Sequence, residues 1–318
     1  MESVTLSSGH SMPLVGLGCW KIEGNVAKET IRTAIKLGYR HFDCAADYGN
    51  EAEIGAALQE AIAEGDVTRK DLFITSKLWN THHAKEHVQE AIERTLSDLR
   101  LDYVDLYLIH FPLAMKYVPV TEKYPPGAQM DENGLPQMAK VPIQETWQAM
   151  EGLVDAGLAR SIGVANFNCI LITDLMTYAR IPPAVDQVES HPYLVQPVLR
   201  RLLSRYNIHM TAYSPFGYPS YQVLGVPFDS KNFLELDLVQ EIGARYGKTP
   251  AQVALRWNVQ KGCSVVPKTV TPSRLTENMS IFDFKLTDEE VSAIDALDKQ
   301  VRFNNVGLPF VWNSPLFD

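Results

Sequence analysis

GYRHFDCAADYGNEAEIG, residues 38–55, carries the chain from a strand into a helix across one short polar loop. Tyr39 to Asp43 is half apolar, as in a short buried strand. Asn50 then opens a helix, with Glu51 in its first turn and Ile54 and Leu58 on one face. Asp43 and Tyr48 stand between the two elements, and neither is needed to form them. A carboxylate at the C-terminal end of a strand, followed by a loop tyrosine, is chemistry set at a strand–loop junction.

The same unit recurs along the chain. The spacing predicts strands at 39–43, 72–77, 104–109, 160–165, 184–189, 208–212 and 264–267. It predicts helices at 51–64, 84–99, 143–156, 169–179, 196–206, 250–260 and 272–278. VGLGCW adds a first core strand ending near Trp20, and Asn25 is expected to cap a helix running to Leu37. The strands are near-continuous apolar runs such as DLYLI, as a parallel sheet buried on both faces requires. Eight such units predict an α/β fold, a (β/α)8 TIM barrel, with residues 1–318 as a single domain. Val4–Leu6 and Met12–Leu14, flanking SSGHS, predict an N-terminal β-hairpin. Three stretches break the rhythm: 113–141; 214–232, which leads into an extra helix at 233–246; and the tail 299–318. The first two follow C-terminal ends of strands, where barrels carry their sites, and all three are expected to wall a substrate pocket.

A barrel enzyme should place polar residues at the strand ends. Asp43, Lys77, His110, Asn166, Gln187, Tyr213 and Lys268 fall there. A lysine ending the apolar run ITSK needs an anionic partner, and Asp43 is the nearest candidate. Lys77 so paired would sit beside the Tyr48 hydroxyl, lower its pKa and suit it as a general acid. His110 would orient a substrate carbonyl. The set is suited to delivering a proton to a carbonyl oxygen while the carbon is attacked.

Other features bound the reading. At 318 residues the chain can bury a large core, and a charge of −9 with no acidic or basic tail argues against nucleic acid and anionic membrane as partners. Cys19, Cys44, Cys169 and Cys263 lie far apart without a C-x-x-C pair and read as reduced, buried thiols. MESVTLSSGHSMP lacks the features of a signal peptide, and no apolar run approaches the ~18 residues of a membrane span. A cytoplasmic protein is expected. Gly16-Leu17-Gly18 lacks the third glycine and acidic partner of a dinucleotide fingerprint. His82, His83 and His87 have no cysteine ligand nearby and read as a solvated helix start, so no metal is expected.

Three long motifs resemble the aldo-keto reductase family, and the likeness covers essentially the whole chain. GYRHFDCAADYGNEAEIG matches its first signature, DYVDLYLIHFP the strand carrying its histidine, and VVPKTVTPSRLTENMSIFDF its cofactor signature. The resemblance implies an NADPH-dependent carbonyl reductase, with NADH as a weaker alternative and Asp43, Tyr48, Lys77 and His110 as its catalytic tetrad. It implies that Asn166 and Gln187 hold the nicotinamide amide, Tyr213 stacks on the ring and Ser214 meets the pyrophosphate. Lys268, Thr269 and Arg274 would take the 2′-phosphate, with Glu277 and Asn278 near the adenine. Lys268 and Arg274, two cations flanking a helix start, make a sound dianion site on physical grounds also. Ala165 and Thr269 depart from the serines common in the family.

Within the family, HFPLAMKYVPVTEKYPPG and RFNN resemble fungal-type xylose reductases, whereas HFDCAADY with SIFDF resembles plant mannose-6-phosphate reductases. The first likeness implies sugar contacts from Trp20, Asp47 and Asn304 beside His110, with Phe111 also fitting a sugar reductase. The expected reaction is reduction of the open-chain aldehyde of a xylose-like aldose to the alditol. Aldose-6-phosphate reduction and broad-specificity aldehyde reduction are the alternatives, and Lys116, Lys123 and Arg302 are the candidate cations for a phosphate. The expected partner is a small-molecule sugar or aldehyde, bound by a monomer or homodimer. A Schiff-base aldolase would use Lys77 as nucleophile, but a lysine paired with a carboxylate stays protonated. A non-catalytic module would keep the cofactor site without needing the tetrad.

Overall fold

The computed structural model describes residues 2–222, 225–226, 228–306 and 316–317. The chain opens with the hairpin β1 (Ser3–Thr5) and β2 (Ser11–Pro13), paired antiparallel with Val4 opposite Met12. Eight parallel strands follow: β3 (Leu17–Gly18), β4 (His41–Asp43), β5 (Phe73–Leu78), β6 (Val104–Ile109), β7 (Ala159–Ala165), β8 (Val185–Glu189), β9 (His209–Tyr213) and β10 (Cys263–Val265). Each pairs with the next in sequence. The ring closes where Val265 N donates to Leu14 O (2.8 Å), Gly16 N to Val265 O (2.8 Å) and Gly18 N to Pro267 O (3.1 Å). The result is a (β/α)8 barrel.

The glycines of the GLG fragment serve this closure. A Cβ on Gly18 would lie 2.5 Å from Val266 O, and one on Gly16 2.8 Å from the His41 ring. Leu6 and Met12 pack with Phe73, Leu106, Leu108, Ala165 and Val185, so the hairpin region seals one end of the barrel interior. The larger core lies between the strands and the surrounding helices.

Helices α1 (Gly24–Lys36), α2 (Glu51–Ala63), α3 (Lys85–Leu99), α4 (Ile143–Asp155), α5 (Cys169–Leu175) and α6 (Pro197–Arg205) follow the predicted units. In α1, Ala27, Ile31, Ala34 and Ile35 form the buried face; the cap position is Glu23, not Asn25, so the expected cap is corrected by two residues. Asn50 does stand before α2, yet its amide leaves the helix end to donate to Cys19 O (2.9 Å) and Ile22 O (2.8 Å), tying the first barrel loop to the second. The expected helix 169–179 ends at Leu175. The extra helix after β9 is a 3-10 turn (Phe233–Glu235) followed by α7 (Asp237–Tyr246). After α8 (Pro250–Gln260) and α9 (Pro272–Met279) comes α10 (Asp288–Asp295), which the spacing did not predict. Among the described residues no helix is long and apolar enough to cross a membrane.

His82 and His83 are buried, at 2% and 3% exposure, which corrects their reading as a solvated face. The His82 ring packs edge-on against Tyr117 at 5.4 Å, under the long loop 113–141.

Candidate active site

Lys77 is fully buried inside the barrel, where an ammonium survives only with its protons satisfied. Its Nζ donates to Asp43 Oδ1 (3.0 Å) and Oδ2 (2.9 Å), to Cys44 O (2.8 Å) and to the Tyr48 hydroxyl (3.1 Å). β4 delivers Asp43, β5 delivers Lys77, and a single 3-10 turn, Ala46–Tyr48, brings the tyrosine back over them. Gln187 Nε2, from β8, also donates to Asp43 Oδ1 (2.7 Å).

The expected lowering of the Tyr48 pKa is not what this arrangement gives. Burial of the hydroxyl, then Asp43 and Asp47, push it well above the ordinary tyrosine value. One ammonium in contact does not offset desolvation and two carboxylates.

The His110 ring is fixed by its neighbours. It meets Tyr48 (5.9 Å) and Trp79 (5.4 Å) edge to face and stacks on Phe111 (5.1 Å). Its Nδ1 lies 3.1 Å from Asp47 Oδ1, but without the angles of a hydrogen bond. A second chain of bonds runs across the mouth of the barrel: Asn304 Nδ2 donates to the Tyr213 hydroxyl (3.0 Å), that hydroxyl to Asn166 Oδ1 (2.6 Å), and Asn166 Nδ2 to His110 O (2.8 Å). Asn166 and Ser214 adopt positive φ, 64° and 46°, just as their strands end. Such conformations are uncommon outside glycine and cluster at functional sites.

These residues surround one cavity of about 240 Å3, lined also by Trp20, Asp47, Phe111, Gln187, Ser214 and Lys268. Trp79, Phe216, Tyr221 and Val306 line it too and were not identified in the sequence, because an apolar wall residue looks there like any core residue. Of the three stretches expected as walls, the loop after β9 and the tail contribute side chains. The loop 113–141 does not: its Leu113 packs behind Trp79 and Phe111. Tail residues 307–315 and 318 lie outside the described residues.

A second cleft, of about 700 Å3, meets the first at Trp20, Phe216, Ser220 and Lys268. Thr269, Arg274, Glu277 and Asn278 lie along it; Arg274 is in the first turn of α9, after its leading Pro272, and Glu277 and Asn278 are in its last turn. Burial, and then Lys268, lower the pKa of Lys21, while burial also lowers that of Lys268. Two partly desolvated cations near one another at the junction of two clefts could hold an anion. Lys21 Nζ also donates to Ser220 O (2.8 Å), bridging the cleft. The two clefts join into one elongated groove, with Tyr213 lining the first and Thr269 and Arg274 the second.

The chain belongs to the aldo/keto reductase family, whose model matches residues 14–299. It is an NAD(P)H-dependent enzyme of that family. It is 48% identical to the NADPH-dependent D-xylose reductase of Meyerozyma guilliermondii, over 98% of each chain. It is 47% identical to the NADH-dependent D-xylose reductase of Candida parapsilosis, over 95% of this chain and 94% of that one. Among solved structures, the aldose reductase of Schistosoma japonicum superposes with a TM-score of 0.88 at 40% identity, covering 96% of this chain and 95% of that one.

Proposed function

We propose that the protein reduces the open-chain aldehyde of a xylose-like aldose to the alditol, using NADPH in preference to NADH. The observation that carries the reading is the contact of Lys77 Nζ with both Asp43 and the Tyr48 hydroxyl, at the floor of a cavity rimmed by Asp47, His110, Trp20 and Asn304. A nicotinamide held by Asn166, Gln187 and Tyr213 would supply a hydride for the carbonyl carbon. Tyr48 gives its proton to the carbonyl oxygen. Its raised pKa keeps the phenol protonated until that oxygen becomes basic, and the Lys77 ammonium then stabilises the phenolate left behind. Asp43 and Gln187 hold Lys77 in place through the shared carboxylate. His110, with its ring wedged between aromatic neighbours, orients the carbonyl.

Asp47, the Trp20 indole and the Asn304 amide present mixed acceptors and donors to a polyhydroxylated chain, where a long apolar aldehyde would call for an apolar wall. Among the described residues, the cation lining this cavity is Lys268, at its junction with the second cleft. Lys116 is bonded outside it to Gln137, and Arg302 stacks on Phe317. That placement supports an unphosphorylated sugar over an aldose 6-phosphate. The four cysteines are free thiols, which fits the proposed cytosolic setting.

The test compares NADPH oxidation with xylose, glucose, glucose 6-phosphate and mannose 6-phosphate by kcat/KM. The expected order puts xylose first. An advantage for the phosphosugars would replace this reading with the second, and turnover of apolar aldehydes alone would remove the sugar reading.

A further inference from the structure

Glu189 ends β8 two residues beyond Gln187, on the same face of the strand, and no step of the chemistry above uses it. It is wholly buried, as is His191. Its two oxygens meet two consecutive backbone amides of the tail: Phe303 N donates to Oε1 (2.9 Å) and Asn304 N to Oε2 (2.8 Å). His191 Nε2 is 2.8 Å from Oε1. Burial alone would raise the Glu189 pKa, but His191, Arg302 and the Phe303 amide together hold it below the ordinary value. The tail reaches this point through Lys299 and Val301, whose amides donate to Tyr193 O (3.2 and 3.0 Å).

The His191 ring faces Phe303 at 5.3 Å and Phe233 at 6.2 Å. Gly217, at φ 62°, backs onto all three rings: a Cβ there would lie 3.1 Å from Phe303, 3.3 Å from Phe233 and 3.4 Å from His191. The loop after β9 and the C-terminal tail therefore seat on one cluster built around this carboxylate.

We propose that Glu189 is a positioning residue that latches the tail onto the barrel, setting the register in which the Asn304 amide reaches Tyr213. Its effect on turnover rests on the proposed reading of the cavity; the latch itself does not. Glu189→Gln keeps the side chain's shape but swaps one acceptor oxygen for an NH2 group, which cannot accept from a backbone amide. Amide exchange of the full-length protein, followed by mass spectrometry, should show residues 299–306 exchanging about tenfold faster, the size expected when buried amides lose an ionised acceptor. Peptides covering β5 and β6 should be unchanged. With NADPH affinity held, kcat/KM for a polyhydroxylated aldehyde should fall, and Glu189→Gln combined with Asn304→Ala should be no worse than the poorer single variant.

Unchanged exchange at 299–306, faster exchange throughout the barrel, or losses that multiply in the double variant would overturn the latch. If Glu189→Gln does not fold, Glu189→Asp retains the charge one methylene short and should show intermediate exchange in the tail alone. A protein that reduces no sugar would defeat the substrate reading, while tail exchange would still decide the latch.

Discussion

Tyr48 and Lys77 carry the proton transfer proposed for this site. Both stand out because a strand or loop has no structural use for them, and the fold brings them to 3.1 Å. The direction of the tyrosine pKa was not legible, because it depends on burial and on Asp47, which the 3-10 turn swings to the same side. Tyr48→Phe should lower kcat by roughly 10²–10⁴-fold, the usual worth of a general acid, with NADPH affinity by fluorescence titration nearly unchanged. Retention of more than a tenth of kcat would count against Tyr48 as the proton donor. Lys77→Met should abolish turnover and also destabilise the fold by about 3–5 kcal/mol, because it leaves Asp43 charged and buried without its ion-pair partner. Urea denaturation would read the second effect independently of the first. Glu189 escaped the sequence reading for a simple reason: the strand-end pattern was satisfied by Gln187, and the tail amides Glu189 accepts from lie more than a hundred residues away.

At the level of elements, the strands were legible where they are continuous apolar runs, and β6 is buried along its whole length. The boundaries were less so. Asn25 has the chemistry of a cap but lies inside α1, and Asn50 occupies a cap position while serving another loop. The missed helix α10 carries a sequence signal in Thr287 and Glu290, a capping box in which Thr287 N donates to Glu290 Oε2 (2.9 Å) and Glu290 N to Thr287 Oγ1 (3.2 Å). Thr287→Ala should cost about 1 kcal/mol, seen as a lower Tm with activity retained. The loop 113–141 follows the C-terminal end of a strand and still stays out of the cavity. Its Tyr124 reaches instead toward Glu51, with the phenol oxygen 3.5 Å from Oε2, in a buried polar cluster outside the barrel wall.

At the scale of the molecule, the proposed cofactor site spans the two joined clefts, with its phosphate end in the second. Arg274→Ala should therefore weaken NADPH by about tenfold, one charge-assisted contact, and NADH little. Equal losses in the two dissociation constants would remove Arg274 from the 2′-phosphate. Acid stability is also a property of the whole. Burial is the main cause lowering the histidine pKa values, to about 4 at His41, His82 and His209 and about 3 at His83. The unfolded chain takes up protons below about pH 6.5 that the native protein refuses, so stability is lost as pH falls from there toward 4. Urea midpoints measured across that range should decline, and His83→Gln should flatten the decline. The closure of the ring has a consequence for synthesis. β3, at Leu17–Gly18, takes its last neighbour from the segment around Val265–Pro267, which the ribosome makes long afterwards. Until that segment emerges, the nascent sheet keeps an open edge at each side, and the proposed phosphate-end residues from Lys268 to Asn278 emerge later still. Stalled chains ending near residue 260 should be cleaved readily by protease and fail to bind NADPH, while chains released at full length resist cleavage and bind it.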